Sequence, residues 1–252
     1  MMPSRFSWIA LGLGAYLAFA ISMFPAAIAY RWLAPDNVRL AGIDGTVWSG
    51  SAAIGSVGNI GFHDLEWQLQ PWRLLFARAG GQLQARFADG FVTTRVEAGL
   101  SQIALSDLQA STSLVGLQDL LPLGGIEGLV SANFASLLID NDWPVEANGE
   151  VRVAQLAVPP LMAPGSALIE LGNFQIRFSP GEPPDLVGAF EDQGGPLEVS
   201  GMVRVSPNRS YVIEGSARSR PEAPETLRQG LEIMTAPPDA EGLRAFNISG
   251  SL

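Results

Sequence analysis

The chain offers one histidine, His63, and no cysteine, so imidazole chemistry has a single candidate and thiolate chemistry has none. His63 lies in Gly-Phe-His-Asp-Leu-Glu-Trp, where Asp64 could orient it as a base. On a strand, however, consecutive side chains point to opposite faces, so the two are poorly placed to share a proton. His63 reads as a surface or turn residue. Without cysteine there are no disulfides and no zinc–thiolate sites. All 15 basic residues are arginine. The lack of lysine removes the phosphate-binding Walker loop and the Ser-x-x-Lys nucleophile together. No Gly-x-Ser-x-Gly elbow and no Asp-x-Asp-x-Asp-Gly calcium loop occurs. The acidic residues are scattered singly, which leaves open only a carboxylate pair converging from distant strands. The sequence therefore reads as that of a protein that is not an enzyme, with no catalytic residue, no cofactor and no metal.

Stepping outward from those residues, the strongest element is at the start. Trp8 to Tyr30 carries no charge. As one helix it would rise roughly 34 Å, enough to cross a hydrocarbon core of about 30 Å. Residues 1–7 then form a short cytoplasmic tail with Arg5, 8–30 a transmembrane anchor and 31–252 an external domain. Tyr30 and Trp32 stand where an aromatic belt meets headgroups, and Arg31 sits between them. The competing reading is a cleaved signal, since Ala27-Ile28-Ala29 has the small-residue cleavage pattern, although an h-region is normally shorter. Pro25 falls inside the run, where a membrane span tolerates it. The net charge is −10, and the acidity lies beyond the anchor. That balance argues against nucleic acid or an anionic leaflet as a partner held by broad charge attraction.

The remainder alternates apolar and polar residues in short runs, often opened by glycine. Gly81 to Phe87, Phe91 to Glu97, Gly128 to Phe134, Gly149 to Leu156, Phe174 to Phe178, Leu197 to Ser200, Gly201 to Ser206, Tyr211 to Ala217 and Phe246 to Leu252 are candidate strands. Period two with one apolar face means antiparallel sheet. The irregular spacing excludes a fixed-period solenoid and favours a meander of successive hairpins. Asp89-Gly90 and Asn148-Gly149 are candidate tight turns. A break is expected near residues 140–147, at Asp140-Asn-Asp-Trp-Pro. Helix outside the anchor is scarce: Pro71 to Arg78, Leu114 to Leu121 and, best formed, Pro224 to Met234. The expected fold class is mostly β. An N-terminal transmembrane helix precedes an antiparallel, curved sheet, half-barrel or groove-like, with a few short helices.

The most distinctive stretch is Leu40-Ala-Gly-Ile-Asp-Gly-Thr-Val-Trp-Ser-Gly-Ser-Ala52. Gly42, Gly45 and Gly50 permit turns or close backbone approach, and Thr46, Val47 and Trp48 supply bulk at the start of a strand pair. Trp48, Trp67 and Trp72 are expected as core or edge anchors, and a fully buried Trp48 would cost about 3–5 kcal/mol on truncation to Ala. Together with Leu65-Glu-Trp-Gln-Leu-Gln-Pro-Trp, which holds Trp67 and Pro71, and with the C-terminal helix, Gly turn and closing strand, this stretch resembles the type II secretion system protein N (GspN) family. The resemblance spans nearly the whole chain, strongest over 40–75. It implies an accessory inner-membrane subunit of a general secretion machine in a Gram-negative bacterium, with a periplasmic domain that contacts other secretion subunits. It carries over no active-site residue. The alternative is an AsmA-like periplasmic protein that holds lipid or another amphipath in a β-groove.

Overall fold

The structure is a computed structural model that describes residues 5–34, 36–58, 60–71, 79–87, 89–99, 101–117, 125–141, 143–160, 167–180 and 185–251. Thirteen strands form one sheet, and each pairs antiparallel with its neighbours in sequence, β1 through β13. They are β1 (Val38–Gly45), β2 (Ser49–Val57), β3 (Ile60–Leu69), β4 (Ala79–Phe87), β5 (Gly90–Ala98), β6 (Gln102–Ser113), β7 (Glu127–Asp140), β8 (Trp143–Val158), β9 (Ile169–Phe178), β10 (Leu186–Asp192), β11 (Leu197–Val205), β12 (Ser210–Ser219) and β13 (Arg244–Ser251). The sheet does not close, because β1 and β13 are its two edges.

Period-two patterning explains why the strands stack in this order. One cross-strand row runs Ala85, Val92, Ala110, Ala132, Val151, Ile176, Phe190, Gly201, Gly215, Phe246, all apolar. The row beside it runs Arg86, Phe91, Ser111, Ser131, Arg152, Gln175, Glu191, Ser200, Ser216, Ala245, mostly polar. A one-residue slip anywhere would exchange the two faces, so the pattern fixes the register. Asp64, Asp107 and Gln155 have positive φ and sit at register shifts in the pairing of β3 with β4, β5 with β6 and β8 with β9. Such β-bulges bend a strand and increase its twist.

Two glycine expectations change. Gly149 and Gly201 do not open strands; they lie inside β8 and β11. A Cβ on Gly201 would stand 2.6 Å from the Phe190 ring and closer still to the Glu214 carbonyl oxygen, and one on Gly149 2.7 Å from the Phe134 ring. Phe190 meets Phe246 at 6.2 Å, and Phe134 meets Phe178 at 5.8 Å. The glycines are the floor on which aromatic rings lie, a pairing that offsets glycine's poor strand propensity. Asn148-Gly149 is accordingly not a turn. The turn at that point is the β7–β8 connection, with Asn141 in left-handed backbone, so residues 140–147 belong to a hairpin within the one sheet.

Helices stand at the margins. α1 (Arg5–Ser22) and α2 (Ala26–Leu33) replace the single helix expected over 8–30. Pro25 lacks an N–H and disfavours helix at Phe24, so the chain breaks there and restarts. Among the described residues no helix is both long enough and apolar enough to cross a membrane. α2 packs on β1, and α3 (Glu225–Met234) packs on β12, close to the expected C-terminal helix. A 3-10 turn occupies Val115–Leu117; the rest of that expected helix, most of Pro71 to Arg78, and Trp72 lie outside the described residues. No large side chain among the described residues is fully buried.

Candidate functional site

The signature stretch builds a clasp. Gly45, at φ 86°, lets β1 turn into β2, and a Cβ there would stand 2.6 Å from the Ser49 carbonyl oxygen. Gly42, at φ 67°, lies opposite Ala53, whose Cβ a side chain at 42 would meet at 2.8 Å. Thr46 closes the turn: its N–H donates to Ser49 O at 2.9 Å, and its hydroxyl accepts the Ser49 N–H at 3.1 Å. Trp67 lies beneath, its Nε1 donating to Thr46 O at 3.2 Å and Val47 O at 3.1 Å. Gly50 makes room for that ring, since a Cβ would meet Trp67 Cζ2 at 2.5 Å. Gly42, Gly45, Thr46, Gly50 and Trp67 thus belong to one hairpin. Pro71 stands exposed past the end of β3.

The hairpin grips the helical break. Val47 N–H donates to Phe24 O at 3.0 Å, Pro25 and Thr46 form an isolated antiparallel bridge, and Trp48 Nε1 donates to Ile21 O at 2.8 Å. Carbonyls at a helix C-terminus lack intrahelical partners, so an indole there satisfies one of them. Trp48 is half-buried and not a core residue. The expected 3–5 kcal/mol cost of its truncation to Ala therefore does not apply.

Tyr30 was the residue whose role sequence reasoning missed. Its hydroxyl donates to Val38 O at 3.0 Å and accepts the Leu40 N–H at 2.9 Å. Those groups point away from β2, along the outer edge of β1. Tyr30 plugs that edge, and Phe24 with Pro25 covers it further along at Thr46–Val47. Below this lies a cavity of about 270 Å³, lined by Ala26, Ala29 and Tyr30 of α2 and by Leu40, Ile43, Val47, Leu65, Trp67, Leu69 and Leu83 of the sheet, with no charged side chain. It is the start of the apolar face. Farther along the sheet, among the described residues, α3 packs on β12 and the 3-10 turn at Val115–Leu117 on β6, and Ile103 and Ile248 remain 39% and 43% exposed.

The polar face carries ion pairs: Arg95 with Asp107 at 2.8 Å, Arg177 with Glu191 at 2.7 Å, Arg218 with Glu198 at 2.5 Å. A tighter knot forms where β10, β11 and β12 end. Arg220 bonds Asp192 at 2.8 Å and also donates to the Gly195 and Leu197 carbonyls at 2.7 and 2.8 Å. Burial pushes the Asp192 carboxyl up, but the Val199 and Gly194 N–H groups and Arg220 outweigh it and hold it below the usual range. Hydrogen bonds from Ser113 and Thr112 likewise lower Asp89. These carboxylates act as structural acceptors. His63 is exposed on β3, and Asp64, lifted out of alternation by its bulge, meets Arg86 at 3.5 Å instead. Among the described residues no group of His, Asp and Glu could hold a metal ion.

Comparison with known proteins agrees with the signature stretch. The family described as type II secretion system (T2SS), protein N matches residues 36–247. A "Type II secretion system protein N" of Aeromonas hydrophila is 27% identical over 254 residues, covering 96% of this chain and 97% of its own length. One of Vibrio cholerae serotype O1 is 27% identical over 233 residues, 86% of each. No solved structure matches.

Proposed function

The chain belongs to the type II secretion system protein N family, and from that premise we propose an accessory subunit, tethered to the inner membrane by α1, whose sheet contacts other secretion subunits in the periplasm. It is a component of the secretion system and not an enzyme. The observation that carries the tether is the clasp. Three contacts bind the end of α1 and the Phe24–Pro25 break to the first hairpin, so whatever holds α1 also orients the sheet. α1 has 18 residues. At about 1.5 Å per residue it rises roughly 27 Å, short of a hydrocarbon core of about 30 Å, so the tether calls for local bilayer thinning or for flanking residues to complete the crossing. Leu13, Phe19 and Ile21 along it are 58%, 63% and 59% exposed, as lipid-facing side chains would be. Arg5 at its start favours a cytoplasmic N-terminus. Residues 1–7 are then the tail, and the body from 31 to 252 lies outside. Gly42, Gly45, Thr46, Trp48, Gly50 and Trp67 serve as the joint.

Fractionation with protease protection is the test. The protein should enter the membrane fraction, and its body should be cleaved only after the outer membrane is opened. Recovery of a free periplasmic chain beginning near Tyr30 would sink the tether. For the contacts, mild-detergent purification should retain other secretion subunits.

A second reading, a groove for a lipid or other amphipath, is favoured by one observation: an apolar row runs across ten strands, and Ile103 and Ile248 on that face are 39% and 43% exposed among the described residues. Mass spectrometry of the purified chain should then find bound lipid, and lipid-free protein rules it out.

A further inference from the structure

The two edges of the sheet are not alike. β1 is plugged by Tyr30 and by the Phe24–Pro25 segment. On β13, residues 244, 246, 248 and 250 pair inward with β12, so the backbone groups of 245, 247, 249 and 251 point outward. Ala236 N–H takes the Ala245 carbonyl. From Asn247 to Ser251 no described backbone group pairs with the outer edge, and this stretch bears no charge and no proline, the usual guards of a free edge.

We propose that this edge pairs antiparallel with β13 of a second copy, centred on Ile248. This goes beyond the reading as a secretion subunit and does not depend on it. Asn247 of each copy then lies opposite Ser249 of the other, in the hydrogen-bonded position, and Ile248 meets its own counterpart on the apolar face. Ile248 is 43% exposed in the single chain, at the centre of the patch. Charge complementarity chooses the second copy. The Ala245 end of the edge is flanked by the loop holding Asp239 and Glu241, and the Ser251 end by the β11–β12 turn with exposed Arg209. A two-fold axis through Ile248 brings each Arg209 toward the other copy's acidic loop. Exposed Ile233 and Met234 of α3, just before Ala236, widen the apolar contact at the same end. Because only one edge is open per chain, the pairing closes as an isologous dimer and cannot propagate. The two apolar faces become one.

The full chain in detergent, measured by analytical ultracentrifugation over a concentration series, should sediment as a dimer. Ser249→Pro removes an outward N–H while leaving the β12 ladder whole, so it should give a monomer with unchanged circular dichroism. The chain has no cysteine, so Ile248→Cys should form a disulfide-linked dimer on mild oxidation, since facing non-hydrogen-bonded residues lie within disulfide range. Gln84→Cys, on the polar face of β4, should not. A wild-type monomer at every concentration, or equal cross-linking at both positions, overturns the proposal. So does an Ile248→Cys variant that links only to a different polypeptide in cells.

Discussion

A single hydroxyl decides what one edge of this sheet can do. Tyr30 Oη occupies the outward groups of Val38 and Leu40, so Tyr30→Phe leaves a donor and an acceptor without their partner. Unfolding in urea should show a loss of about 1–2 kcal/mol, the scale of such bonds. Trp48→Phe keeps an aromatic ring but removes the donor to Ile21 O. We expect a loss near 1 kcal/mol in thermal melts, and an unchanged melt would mean that this bond contributes nothing. Asp192 gives a pH signature. Its carboxyl is depressed in the folded chain from an ordinary value of 3.8. The stability it adds is therefore complete above about pH 4 and fades as the pH falls through the lower folded value. Asp192→Asn should be less stable at neutral pH, and its curve should lose part of the acid-side fall; identical slopes for both proteins would refute the assignment. Several of these residues stood out in the sequence, and their partners did not. The Gly-Thr-x-Trp pattern marks a tight turn, but nothing local says that Phe24 and Ile21 dock upon it.

Among the elements, the strands were the more legible because each needs only its own period-two alternation. β4, β5, β9, β11, β12 and β13 fall close to where that alternation places them. β6 and β10 were missed. Gln102 to Ser113 mixes small and polar residues around the bulge at Asp107, which breaks the count, and Leu186 to Asp192 is short and holds Gly188. Glycines misled in the other direction. They look like strand openers, yet Gly149 and Gly201 sit mid-strand because a ring from the next strand covers them. Gly201→Val should therefore cost about 1–3 kcal/mol by overpacking, although valine favours strands; a stabilised variant in a denaturant titration would contradict the ring-on-glycine account. The helical start was misjudged for a physical reason. Hydropathy reads residues 8–30 as one span, while Pro25 interrupts the backbone and a hairpin two dozen residues away fixes the break.

For the whole molecule, the consequence is a sheet with one wet face and one apolar face on which, among the described residues, large side chains such as Ile103 and Ile248 stay partly exposed. Apolar area left accessible at this scale marks a binding surface. The folded chain without denaturant should enhance the fluorescence of an apolar dye. Ile103→Asp, at a partly exposed position on that face, should reduce the enhancement while leaving circular dichroism unchanged; no change in dye binding would place the dye elsewhere. The amino-acid sequence by itself determined the antiparallel meander, the face each side chain takes and the exclusion of thiolate, disulfide and lysine chemistry, because alternation and residue type are local properties. It also held the signature by which the family is identified. Only the tertiary structure decided where the helix breaks, that one edge is plugged and the other open among the described residues, and which apolar side chains of the sheet stay partly exposed. Those follow from contacts between segments far apart in the chain, such as Tyr30 with β1 and Phe24 with Val47, and no periodicity records which distant segment will arrive.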